Sequence, residues 1–97
     1  MIFPKLGEVY QSKKTKHCFY SLGYKRNDKK HAQSQYDACL ICVERHIYSE
    51  IPLGWFNAIY EKIKEAEPLP ELEVITFYRQ QLLLDDSYNT PDYSYYL

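Results

Sequence analysis

Glycine is scarce in this chain: Gly7, Gly23 and Gly54 are the only three in 97 residues. Loops that cradle phosphate need several glycines close together, so that successive backbone N–H groups can reach the anion unobstructed. Three scattered glycines exclude that chemistry. Cysteine is also sparse, and the three present, Cys18, Cys39 and Cys42, are an odd number. An odd set leaves at least one cysteine unpaired, which fits a reducing compartment better than a disulfide framework. No apolar run approaches the ~18 residues of a membrane span. The opening, Met1-Ile2-Phe3-Pro4-Lys5, lacks the apolar core of a secretory signal. Together these absences predict a cytoplasmic protein with no membrane partner. With no internal repeat and no linker-like segment, residues 1–97 read as a single domain, large enough to bury one modest core.

What the chain does have is charge, and it is unevenly placed. Residues 1–35 carry eight Lys or Arg against two Asp or Glu; residues 36–97 carry four against eleven. The near-neutral total of −1 therefore conceals a strong dipole, and single-sign patches steer partners. Tyrosine is the second excess: eleven, against four phenylalanines and one tryptophan. Its apolar ring and polar tip suit surfaces that are alternately wet and buried.

Periodicity divides the chain in two. Residues 8–12 read as a short strand and residues 13–16 as a polar turn. Residues 17–25 alternate, with Cys18, Tyr20, Leu22 and Tyr24 sharing one face and Phe19 the apolar exception on the other. Residues 26–35 form a polar, basic loop. Residues 37–45 are apolar on both faces and read as a central strand, and residues 46–51 add another that ends at Pro52 and Gly54. The period then changes. Phe56, Ile59, Ile63 and Ala66 predict a helical stripe, interrupted by Pro68 and Pro70. In residues 71–84, Leu72, Ile75, Tyr78 and Leu82 continue at helical spacing with acid in the first turn. The β-branched run Val74-Ile75-Thr76 beside Phe77 argues for strand; the length of the segment favours helix. Residues 85–97 show no period.

These elements predict an α+β fold, a small twisted antiparallel sheet covered by one or two helices. Gly7-Glu8-Val9-Tyr10, a Phe19-Tyr20 strand, an apolar strand, and Ile51-Pro52-Leu53 before a turn follow one another in the order of small SH3-like barrels. Residues 5–56 thus resemble a partial SH3-like barrel in alternation and turn placement, a resemblance that implies architecture and fixes no function.

Chemistry-bearing constellations are few. Cys39-Leu40-Ile41-Cys42 has the C-x-x-C spacing of zinc and redox sites. In a strand, however, residues three apart point to opposite faces. His46, and Cys18 beside His17, complete a site only on paper, so the cysteines read as small core hydrophobes and no metal or cofactor is expected. No histidine is positioned with a cysteine by any motif, and the acids Glu61, Glu65, Glu67, Glu71 and Glu73 are dispersed as on a solvated surface. The chain reads as a non-enzyme.

Two segments suit partners. The basic residues Lys13, Lys14 and Lys16 in one turn, and Lys25, Arg26, Lys29 and Lys30 in the next, flank a strand; their stripe suits a nucleic-acid backbone. The acidic, Tyr-rich arm of residues 85–97 suits a basic protein surface, through Asp85, Asp86, Tyr88, Asp92, Tyr93, Tyr95 and Tyr96. The arm and the acidic majority favour a small protein-binding inhibitor or immunity-type protein, such as a phage or mobile-element protein that blocks a host defence factor or a toxin-neutralising protein. Nucleic-acid binding through the basic turns is the alternative.

Overall fold

A computed structural model describes residues 1–27 and 35–89. In chain order the elements are β1 (Val9–Ser12), β2 (Cys18–Arg26), β3 (Tyr36–Cys42), β4 (Tyr48–Pro52), α1 (Leu53–Ile59), β5 (Tyr60–Lys64), α2 (Glu73–Leu83) and β6 (Tyr88–Asn89). The strands form one antiparallel sheet in the order β4-β3-β2-β1-β5, with β6 added beside β2. The sheet is open, since β4 and β5 do not meet. This is the α+β architecture expected of an alternating first half and a helical second half.

The two hairpins that start the sheet share a turn geometry. Lys16 N–H donates to the Ser12 carbonyl, and Ser12 N–H to that of His17; His46 and Cys42 repeat these bonds with Cys42 and Ile47, all at 2.9–3.0 Å. Each turn closes with a left-handed residue that is not glycine, Lys16 (φ 67°) and His46 (φ 57°). Both turns lie at the same end of the sheet.

β2 carries the feature that alternation alone could not show. Ser21 pairs with Leu40 and Tyr24 with Ala38, so Leu22 and Gly23 together oppose Cys39. This is a β-bulge, made possible by Gly23 at φ 101°. One extra residue inverts the facing of every residue beyond it. Tyr20 and Leu22 therefore pack on one face of the sheet, while Tyr24 turns to the other, against Phe3 and Tyr36. Phe19 is no exception either: it faces the second core, edge-on to Tyr60.

The sheet is covered on both sides. On one face Leu6, Leu22, Cys39 and Ile41 meet Ile75 and Leu82 of α2. On the other, Tyr10, Ala38 and Leu40 meet Leu53 and Phe56 of α1. β3 contributes to both cores, which explains its apolar character on both faces. Cys39 and Cys42 accordingly lie on opposite sides of the sheet.

The expected helical stripe of the second half is corrected too. The stripe Phe56, Ile59, Ile63, Ala66 is not one helix: α1 ends at Ile59 and the chain becomes β5, paired with β1 from Ser12↔Tyr60 to Val9↔Lys64. The outer edge of β1 offers main-chain donors and acceptors, and satisfying them outweighs local period. Ile63 is left half-exposed as a result. Beyond α2, Tyr88 and Asn89 pair with Lys25 and Tyr24 as β6, a strand that no period in residues 85–97 signals. Between residues 71 and 84 the helical reading holds, with Ile75 and Leu82 the buried positions. Among the described residues, no helix is long and apolar enough to cross a membrane.

Candidate functional site

α2 buries one side and exposes the other. Ile75 and Leu82 face the sheet; Glu73, Phe77, Gln80 and Leu84 follow one another at four, three and four residues and share the outward side. Phe77 is 54% exposed, Leu83 45% and Leu84 82%. Exposed acids stand around them: Glu71 and Glu73 at the start of the helix and Asp86 beyond its end. The outcome is a broken ridge of large apolar side chains, with Gln80 between Phe77 and Leu84, Leu83 to one side, and acids at both ends of the helix.

Next to the ridge, a polar junction ties three elements together. Lys25 Nζ lies 3.2 Å from Glu50 Oε2 on β4 and 3.4 Å from Asp85 Oδ2 after α2. The Tyr48 hydroxyl donates to the same Glu50 oxygen at 2.8 Å, and its ring stacks on Tyr78 with centroids 4.1 Å apart. Partial burial pulls the Lys25 pKa down, but Glu50 and Asp85 more than offset this and hold it above the ordinary lysine value. Asp85 is held below its usual range by the Ser87 hydroxyl and N–H and then by Lys25. Between β4 and α2 these groups line a cavity of about 370 Å³, together with Phe77 and Gln81. Beneath it, burial pushes the Cys39 thiol up to about 12, so it stays protonated.

The residues singled out for partner binding are thus divided. Asp85 is committed to Lys25, and Tyr88 is half-buried against the sheet with its hydroxyl donating to the Leu22 carbonyl. Asp86 is exposed. Asp92, Tyr93, Tyr95 and Tyr96 lie outside the described residues, as do Lys29 and Lys30. Of the basic set, Lys13, Lys14 and Lys16 are exposed in the first hairpin turn. Arg45, in the matching turn of the second hairpin, is exposed at the same end. Lys25 and Arg26 lie at the far end of β2, nine residues or about 30 Å away.

Cys42 and His17 do not face each other as thiol and base. The Cys42 thiol donates to Glu44 Oε2, and His17 Nδ1 lies 3.3 Å from the same atom. The thiol's hydrogen bond, ahead of the backbone and His17, lowers the Glu44 pKa. Among the described residues, no three His, Cys, Asp or Glu side chains converge as metal ligands do.

Sequence reasoning missed the α2 ridge because Phe77 and Leu84 look like core residues until the buried side of the helix is known. The signal that could have found them was the excess of apolar residues over one stripe: Ile75, Tyr78 and Leu82 fill the buried side, leaving Phe77 and Leu84 over. No known family matches the chain, and no curated protein or solved structure is detectably similar to it.

Proposed function

We propose that this is a non-catalytic protein-binding protein of the inhibitor or immunity type, which docks the outward face of α2 and the segment after it on a basic protein surface. The observation that carries this reading is the ridge of Phe77, Leu83 and Leu84 set among Glu71, Glu73 and Asp86. Large exposed apolar side chains gathered on one element are costly in water and favour an interaction site. Large apolar anchors dominate interface energy, and a charged border sets partner sign and encounter rate. A host defence factor or a toxin with a nucleic-acid-binding surface has the required positive charge, and a cytoplasmic location fits such a target. Lysate capture with tagged protein tests the reading. A protein partner should survive nuclease treatment and be lost with Phe77→Asp/Leu84→Asp, a variant that should lower the melting temperature by several degrees and still fold cooperatively, because both positions lie outside the buried core. Capture that vanishes with nuclease refutes it.

The second reading, nucleic-acid binding, is favoured by one observation. Lys13, Lys14, Lys16 and Arg45 are gathered at one end of the sheet by the paired hairpin turns. Against it, Lys25 is already neutralised by two carboxylates, which breaks the stripe at the far end.

A further inference from the structure

β4 is an edge strand, and its hydrogen-bonding groups can be assigned from the ladder. Cys42 N–H donates to the Ile47 carbonyl, which makes 42 and 47 a hydrogen-bonded pair. Bonded and non-bonded pairs alternate in an antiparallel ladder. Leu40↔Ser49 and Ala38↔Ile51 are therefore bonded pairs, whereas Ile41↔Tyr48 and Cys39↔Glu50 are not. The N–H and C=O groups of Tyr48 and Glu50 consequently point away from β3. Among the described residues no strand covers them. Pro52 has no N–H to offer, so the open edge is short.

The edge opens onto the cavity between β4 and α2. The side chains of Tyr48 and Glu50 share its lining with Lys25, Phe77, Gln81 and Asp85. Two carboxylates against one ammonium leave this lining negative, and Glu73 lies on the same helix as Phe77. Phe77, half-exposed, presents its ring at the rim. An edge of main-chain donors and acceptors beside a lined groove is the arrangement in which an extended peptide adds as a strand, its backbone supplying affinity and its alternate side chains specificity.

We infer that β4 accepts an extended basic segment of the partner as an added strand, with an Arg or Lys side chain entering the groove between β4 and α2. The inference rests on the protein-binding reading and specifies its mode. The added strand pairs through Tyr48 and Glu50. Its cationic side chain lies over the Phe77 ring and is drawn by the one negative charge that the Lys25–Glu50–Asp85 cluster leaves uncompensated, a cation–π contact joined to a charge-assisted one. An acidic segment is repelled by the same lining.

The test uses a fluorescein-labelled hexapeptide of alternating arginine and valine, with glutamate in place of arginine as control. Anisotropy should show binding of the basic peptide and none of the acidic one. Glu50→Pro removes an N–H that faces outward, so the β3–β4 ladder survives while the added strand is blocked. Glu50→Pro should weaken the peptide by about tenfold beyond Glu50→Ala, which removes only the charge. Hydrogen exchange of the Tyr48 and Glu50 amides should slow when the basic peptide is added to the native protein. Equal affinity of folded Glu50→Pro and Glu50→Ala, unslowed exchange at both amides, or no binding of the basic peptide overturns the edge mode. If Phe77→Asp/Leu84→Asp still abolishes capture of a protein partner in that event, the protein-binding function stands and only its strand-addition mode falls.

Discussion

At the bulge in β2, where Leu22 and Gly23 together oppose Cys39, the Tyr88 hydroxyl donates to the Leu22 carbonyl. Leu22 is fully buried, so without that hydroxyl its carbonyl loses a partner in a dry place. Tyr88→Phe keeps the ring and removes only the hydrogen bond. Leaving a buried acceptor unsatisfied costs about 1–3 kcal/mol, which is the loss expected here. In a domain of this length each kcal/mol moves the melting temperature by about 4–8 °C. Tyr88→Ala removes the half-buried ring as well, and half of the ~1.5–3 kcal/mol of a fully buried large side chain adds about 1 kcal/mol. Equilibrium urea unfolding, read by circular dichroism with the slope held constant, measures both. A loss below about 0.5 kcal/mol for Tyr88→Phe refutes the assignment of that hydroxyl to the bulge.

Other outcomes follow from the same geometry. Burial, and then the Glu8 carboxylate that accepts the Tyr10 hydroxyl at 2.7 Å, raise the Tyr10 pKa above its ordinary 10.0; burial, then Cys39 and Glu50, raise that of Tyr48. Their contribution to stability is complete below the unfolded value near 10 and is lost as pH rises above it. Tyrosine absorbance titration should therefore show these two ionising only with alkaline unfolding. Stability unchanged across that range contradicts this. Alkylation followed by mass spectrometry should label half-exposed Cys18 first and Cys39 only in denaturant, and equal rates for the two would place Cys39 outside the core. Oligonucleotide anisotropy at ~150 mM salt should give affinities no tighter than the ~1–100 μM of non-specific contact. Nanomolar binding lost on charge reversal at Lys13, Lys14 and Lys16 would instead favour the nucleic-acid reading.

Much of the fold was legible because short strands alternate and turns are polar. β1 to β4 lie close to where the pattern puts them, and α2 follows from Leu72, Ile75, Tyr78 and Leu82. Where the reading failed, a non-local partner or a single backbone irregularity decided. Ile63 and Ala66 sit at helical spacing from Phe56, yet β5 forms because β1 has a free edge. Tyr24 alternates with Leu22, yet faces the other core because Gly23 admits an extra residue. The site was less legible than the fold. Asp85 and Tyr88 carry the composition of a free arm, but Lys25 and the Leu22 carbonyl claim them. The α2 ridge and the β4 edge both depend on which side of an element is covered, and that is a property of packing.

The pairing of β1 with β5 also sets an order of events. Each of the two hairpins joins neighbours in sequence, and such units close in about 1–10 μs. Joining Val9 to Lys64 and Ser12 to Tyr60 closes a far longer loop, with the larger entropy cost that goes with it. α1 offers little help in advance, because seven residues are too few to hold a helix alone. This predicts that the hairpins form by the transition state and that β5 docks after it. Destabilising substitutions in β5, Lys62→Gly for one, should accelerate unfolding and leave the refolding rate nearly untouched. The edge formed last on the way in is then the first to open on the way out.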